Sequence, residues 1–219
     1  MKKTFLLVVA LVATLSMNAQ YREGTWTLQP KTGVIASGLS NMPDLDVDKD
    51  LDLEKSVFPG VLFGAELEYQ ITDMVSVAAA LQYTLQGGLW KDYREPTLFI
   101  KDTKIELGYV NLPIVGNVYL FKGFAVKAGV QLSVLTNAKL KSLVERGGVI
   151  DPLDLDDYDD FHKVDFSIPV GVSYELNNHV VFDLRYIHGL TTINKVDDQF
   201  EKSMKNRALV LSVGYKLNL

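Results

Sequence analysis

Val75-Ser76-Val77-Ala78-Ala79-Ala80-Leu81-Gln82-Tyr83-Thr84-Leu85-Gln86 is the stretch that decides the fold. Odd positions carry Val, Ala, Leu and Tyr; even positions carry Ser, Ala, Gln and Thr. That is period two, the repeat of a β-strand, whose successive side chains leave on opposite faces. One face is apolar and the other small and polar.

The same pattern recurs on both sides of this stretch. Phe124, Val126, Ala128, Val130, Leu132 and Val134 alternate with Lys127, Gly129, Gln131 and Ser133. Val164, Phe166, Ile168, Val170, Val172, Tyr174 and Leu176 alternate with Asp165, Ser167, Pro169, Gly171, Ser173 and Glu175. Eight such segments are predicted, at residues 25–38, 58–70, 74–86, 104–121, 123–136, 163–176, 179–188 and 206–217. The fourth slips phase between Tyr109 and Pro113, where a bulge is expected because proline cannot donate to a ladder.

Connections alternate in length. Residues 71–73, 122–123 and 177–178 form tight turns, while 39–57, 87–103, 137–162 and 189–205 form long loops. Short turns at one end and long loops at the other describe an all-β, eight-stranded, antiparallel up-and-down transmembrane β-barrel with its termini on the periplasmic side. A tilted membrane strand needs about 9–11 residues, and each segment is long enough.

Alternation does not say which face looks outward. Side-chain size does: a water-facing surface would carry many Lys and Glu residues, whereas this polar face is mostly Gly, Ala, Ser, Gln and Thr, which suits a crowded narrow lumen. Its charges have both signs, at Glu66, Glu68, Lys127, Asp183, Arg185 and Lys216, so a paired interior network is expected. Aromatic residues cluster near strand ends: Tyr69, Phe121, Phe124, Tyr174 and Tyr215 toward the short turns, and Phe58, Tyr83, Tyr109, Phe161 and Tyr186 toward the long loops. Two such girdles match the two headgroup levels of a bilayer.

The first twenty residues read as an export signal. Lys2 and Lys3 precede an apolar run at 5–15 that is too short for a retained span, and cleavage is placed after Ala19. The domains are therefore 1–19 as signal peptide and 20–219 as barrel. Removing Lys2 and Lys3 takes the formal charge from −5 to −7. An acidic chain with no basic block is a poor nucleic-acid binder. The absence of cysteine excludes a disulfide framework, thiolate metal sites and a lipid-anchored N-terminus.

Little in the chain points to catalysis. His162, His179 and His188 lack metal-ligand spacing, and no GxSxG, phosphate loop or HExxH occurs. The chain reads as non-enzymatic and without a cofactor motif. The first long loop places Asp44, Asp46, Asp48, Asp50, Asp52 and Glu54 at alternate positions, and the third holds Asp151, Asp154, Asp156, Asp157, Asp159 and Asp160. In an extended segment the first set lies along one edge, an oxygen-rich array that could take calcium. The same residues equally describe a solvated acidic loop. Calorimetry separates the two: saturable calcium heat that disappears when Asp44, Asp46, Asp48 and Asp50 become Asn marks a site, and no heat at about millimolar calcium, the weak end of protein calcium sites, excludes one.

A rival signal is Gly24-Thr25-Trp26, which looks like the GxW start of lipocalins and implies a soluble periplasmic barrel around a small apolar ligand. The wider resemblance is to the PorT-like outer membrane β-barrel family. Gln29-Pro30-Lys31-Thr32-Gly33 resembles its first strand and Tyr109-Val110-Asn111-Leu112-Pro113 its fourth. Tyr174-Glu175-Leu176 with Phe182-Asp183-Leu184-Arg185-Tyr186-Ile187-His188-Gly189-Leu190-Thr191 is similar to its seventh-strand hairpin. Lys205-Asn206-Arg207 and Leu211-Ser212-Val213-Gly214-Tyr215-Lys216-Leu217 resemble its closing strand. The resemblance implies residence in the cell outer membrane and insertion by the outer-membrane assembly machinery. Lipid and lipopolysaccharide are the expected surroundings, with proteins of a secretion complex as partners of some members.

Overall fold

The computed structural model describes residues 22–41, 55–90, 93–94, 98–146, 149–155, 161–194 and 203–219. The export signal lies outside them, as do Asp44, Asp46, Asp48, Asp50 and the other acidic residues at 42–54 and 156–160.

Eight antiparallel strands form the wall: β1 (Trp26–Ser40), β2 (Phe58–Thr72), β3 (Val75–Trp90), β4 (Leu98–Phe121), β5 (Phe124–Arg146), β6 (Val164–Glu175), β7 (Val180–Gly189) and β8 (Lys205–Tyr215). Each pairs with its neighbours in sequence, and β1 pairs with β8 from Lys31↔Gly214 to Ser40↔Lys205, which closes the sheet. Closure leaves no wall strand with an open edge, the condition for crossing a bilayer. Short strands extend it: Lys55–Ser56 on β3, Tyr93–Arg94 on β4, Val149–Leu155 on β5 and Leu217–Asn218 on β1.

Turn chemistry fixes the tight end. Thr72 Oγ1 accepts from the amides of Met74 (3.3 Å) and Val75 (3.1 Å). Gly123 takes a positive φ of 83° and His179 one of 65°.

The apolar face points outward. Leu81 is 64% exposed, Val130 61% and Val34 60%, whereas Ser76, Gln82, Gln131 and Ser133 are buried inside. A soluble protein rarely exposes a continuous apolar patch of more than a few hundred Å². An apolar wall around a polar interior is the reverse of what a periplasmic lipocalin-like barrel requires, so that reading is not favoured. Trp26 of the GxW motif lies on the outer wall beside Tyr69, ring centroids 4.7 Å apart.

Three expectations need correction. The fourth strand does not slip phase: Thr103 through Tyr119 keep every odd residue inward. The bulge lies across from it, where Gly108 pairs with Asn137 but Tyr109 with Leu135, leaving Thr136 as the extra residue of β5. Pro113 is accommodated by a gap in the β3–β4 ladder between Ala79↔Ile114 and Gln82↔Asn111. The upper aromatic girdle is thinner than expected. Tyr83 and Tyr186 face outward, but Phe58, Tyr109 and Phe161 are buried in the lumen. Finally, strands occupy much of the expected loops, because β4 and β5 run for 24 and 23 residues.

One reason underlies all three. Toward the long-loop end the two faces exchange character: the outside becomes charged and the inside apolar, with Ile105, Leu107, Tyr109 and Leu135 inward. Lys104, Glu106 and Lys141 stand on the outer face of β4 and β5, with Glu106 2.9 Å from Lys104 and 3.0 Å from Lys141. Burial acts to raise the Glu106 carboxyl, but these two hydrogen bonds outweigh it and hold it below the ordinary carboxylate range. The triad marks where the hydrocarbon band ends.

Candidate functional site: the barrel lumen

The interior is built in layers. Nearest the short turns, Lys216 sits 2.7 Å from Glu68 and 3.4 Å from Glu175. Glu68 also accepts hydrogen bonds from Ser76, Tyr119 and Asn117 Nδ2, the last at 3.1 Å. Tyr119 in turn accepts from Lys216 Nζ at 3.0 Å. His179 Nδ1 lies 3.4 Å from Glu175 at the rim.

The next layer centres on Glu66. Lys127 bridges Glu66 (2.9 Å) and Asp183 (3.0 Å). Arg185 contacts Asp183 at 3.0 Å and Glu66 Oε2 at 3.5 Å, and Lys31 bonds to the same Glu66 oxygen. All five are nearly fully buried. Ion pairs removed from water survive only when charges and hydrogen bonds are matched; the three cations and two carboxylates here balance only together with the one lysine and two glutamates of the layer below.

Glycine lets the wall close tightly around Lys31. Lys31 lies between Gly64 and Gly214 on the flanking strands. A Cβ on Gly64 would fall 2.3 Å from the Leu81 carbonyl oxygen, and one on Gly214 2.5 Å from Gln29 Nε2.

Of the six charges expected inside, Glu66, Lys127, Asp183 and Arg185 meet in the middle layer. Glu68 and Lys216 form a separate one below. Lys31 and Glu175 belong to these layers and were not among the six. Lys31 was legible, because it shares the parity of Thr27, Gln29 and Gly33, all facing inward or between strands.

Higher up, Asn111 donates to Thr84 Oγ1 at 2.8 Å, and Gln131 donates to Ser133 Oγ at 3.1 Å. Asp165 follows, accepting from Asn206 Nδ2 at 2.8 Å and from Thr191 Oγ1. Asn206 also reaches Tyr109 OH at 3.2 Å. Above these, Leu39, Trp90, Ile105, Leu107, Leu135, Phe161, Ile193 and Met204 pack into an apolar cap at the long-loop end. Among the described residues, no group of His, Asp and Glu is arranged to hold a metal ion.

A closed, lipid-faced barrel with an ion-filled lumen is matched by the sequence comparison: residues 18–195 fit the outer membrane protein beta-barrel domain. The chain belongs to that family. Members reside in the cell outer membrane, and the wall described above is what places this chain there. The family match stops at residue 195, yet β8 lies beyond it and closes the barrel onto β1.

No curated protein matches the sequence. Among solved structures, the chain is similar to Ail, the attachment invasion locus protein of Yersinia pestis, at 14% identity. That match covers 90% of this chain and 100% of the other, with a TM-score of 0.45. Neisserial surface protein A is similar at 18% identity, covering 89% and 99%, with a TM-score of 0.44. OprG of Pseudomonas aeruginosa is similar at 13% identity, covering 91% and 99%, with a TM-score of 0.43.

Proposed function

We propose that this family member is a PorT-like, non-catalytic surface module. Its narrow, side-chain-filled barrel anchors a raised sheet that makes contacts outside the cell. The observation that carries this reading is the height of β4 and β5. At about 3.3 Å per residue, strands of 24 and 23 residues far exceed the roughly 9–11 that a bilayer needs. Residues 98–103 of β4 and 142–146 of β5 continue past the Lys104–Glu106–Lys141 level, with Val149–Leu155 added as a further strand. Rigid strands that project past a membrane present a binding face at little ordering cost. Lys104 and Lys141 at its base suit the phosphates of surrounding lipopolysaccharide. Signal-directed export from residues 1–19, insertion by the assembly machinery, and work beside a secretion complex are consistent with this reading.

Reconstitution in planar bilayers tests the filled lumen. No large, stable conductance is expected, because an eight-stranded interior is just wide enough for its side chains. A steady porin-sized current would overturn the reading. A chain trimmed above Lys104 and Lys141 should keep the boiling-dependent gel shift of a folded barrel.

A further inference from the structure

The outer wall ends in two different ways toward the long loops. On β4 and β5, Lys104 and Lys141 close on Glu106, so that patch supplies its own anion. On β7 and β8 the rim is built otherwise. Lys205 and Arg207 share the parity of Leu209 and Leu211 and stand on the outer face of β8. His188 is the register partner of Arg207 on β7 and also faces outward. On the other flank Arg207 pairs with Gly38 of β1, where a Cβ would meet nothing within 4 Å. Lys205 pairs with Ser40 just above.

No acid answers these cations from the strands around them. Asp183 is the one carboxylate of β1, β7 and β8, and it points inward to Lys127. Among the described residues, no ion pair reaches Arg207 or Lys205. Directly below them the wall is apolar: Leu209 and Leu211 on β8, Tyr186 and Leu184 on β7, Ala36 and Val34 on β1. Ten residues separate Arg207 from Leu217, which matches the roughly 9–11 that carry a tilted strand across hydrocarbon. Arg207 therefore lies where hydrocarbon gives way to headgroups. A guanidinium and an ammonium without a protein anion, set over an apolar wall, complement an amphiphile that carries a phosphate above its acyl chains.

We infer that Arg207 and Lys205, with His188 beside them, hold the phosphate of an outer-leaflet lipid whose acyl chains lie along the β7–β8–β1 wall. The guanidinium fork takes two phosphate oxygens, Lys205 adds a second charge, and the open side at Gly38 leaves room for the headgroup. The site lies across the barrel from Lys104 and Lys141. It rests on the surface-module reading in one respect: the long-loop end faces the outer leaflet.

The full chain is folded in maltoside micelles, which carry no phosphate, and titrated with fluorescent lipopolysaccharide. The same lipid stripped of its phosphates is the second probe. Polarisation reads binding, and the boiling-dependent gel shift reads folding. Micelles have no sides, so the outcome does not depend on which way the loops face. R207Q combined with K205Q keeps hydrogen-bonding capacity and removes two charges. It should weaken binding of the phosphorylated lipid about tenfold or more, because charge-assisted bonds to phosphate are lost. The stripped lipid should bind wild type and variant alike. R22Q combined with K122Q removes two exposed charges at the tight-turn end and should leave both affinities unchanged. Wild-type affinity in the R207Q/K205Q variant overturns the inference. So does an equal loss for the stripped lipid, or an equal loss in R22Q/K122Q, which would mean that net charge alone acts. Loss confined to K104Q combined with K141Q overturns it too, yet leaves the raised sheet of the proposed function standing.

Discussion

Glu66→Gln should destabilise the folded barrel by about 3–5 kcal/mol, the range seen when one partner of a buried ion pair is removed. The substitution keeps shape and hydrogen-bonding capacity but deletes one charge. Lys31, Lys127 and Arg185 would then share Asp183 as the carboxylate of their layer. Water cannot take up the surplus charge, because Lys31, Lys127 and Arg185 are each 4–5% exposed. The measurement is denaturant unfolding in vesicles, read by loss of the boiling-dependent gel shift. A change within about 1 kcal/mol, the scale of an exposed pair, would mean that the layer is not electrostatically coupled. Replacing both Lys31 and Glu66 with apolar residues of similar size should cost less than E66Q alone, since Lys31 leaves with its partner and only Lys127 and Arg185 then share Asp183.

The second large effect belongs to the outer wall. Val130 lies six residues above Phe124 at the tight-turn level, near the middle of the roughly 9–11 residues that cross a bilayer, and faces lipid at 61% exposure. Val130→Arg should cost about 2–4 kcal/mol, the penalty for arginine at the midplane of a membrane barrel. Asn137→Arg, on the same strand near the rim, should cost about 0–1 kcal/mol. Unfolding of both variants in vesicles checks the pair. Equal costs would place the hydrocarbon band elsewhere on the wall. In a water-soluble barrel, Val130→Arg would be nearly neutral.

The wall was legible from sequence because lipid imposes a strong, one-sided demand. The alternation over residues 75–86 marks one apolar and one polar face, and each of the eight segments read from that pattern falls on one of the eight strands, although β4 and β5 run on into the expected loops. The expected inner positions of Glu66, Lys127, Asp183 and Arg185 follow from the same parity, although which charges touch does not. Lys31 meets Glu66 from 35 residues away in the chain, on the strand between Gly64 and Gly214. No local pattern encodes such a contact.

The upper lumen was hidden for a different reason. From the level of Tyr109 toward the long loops the outer face turns polar and the inner face apolar, so the parity of the lower wall assigns Phe58, Tyr109 and Phe161 to the wrong side. Ile193 was invisible because it sits in a polar loop with no periodicity of its own. Only the folded mouth gives that isoleucine its neighbours.

The pairing of β1 with β8 carries a consequence for how the molecule comes into being. Ser40 meets Lys205, and Lys31 meets Gly214, so the seam joins the two ends of the chain. Until the last dozen residues arrive, the first and seventh strands each present a row of unpaired amides and carbonyls, which hydrocarbon does not tolerate and which invite aggregation in water. Contacts this distant in sequence are also slow to form. Until the β1–β8 seam forms, those edges need cover from some other source. A copy truncated before Lys205 is not a smaller barrel but an unfinished one, destined for proteolysis rather than the membrane.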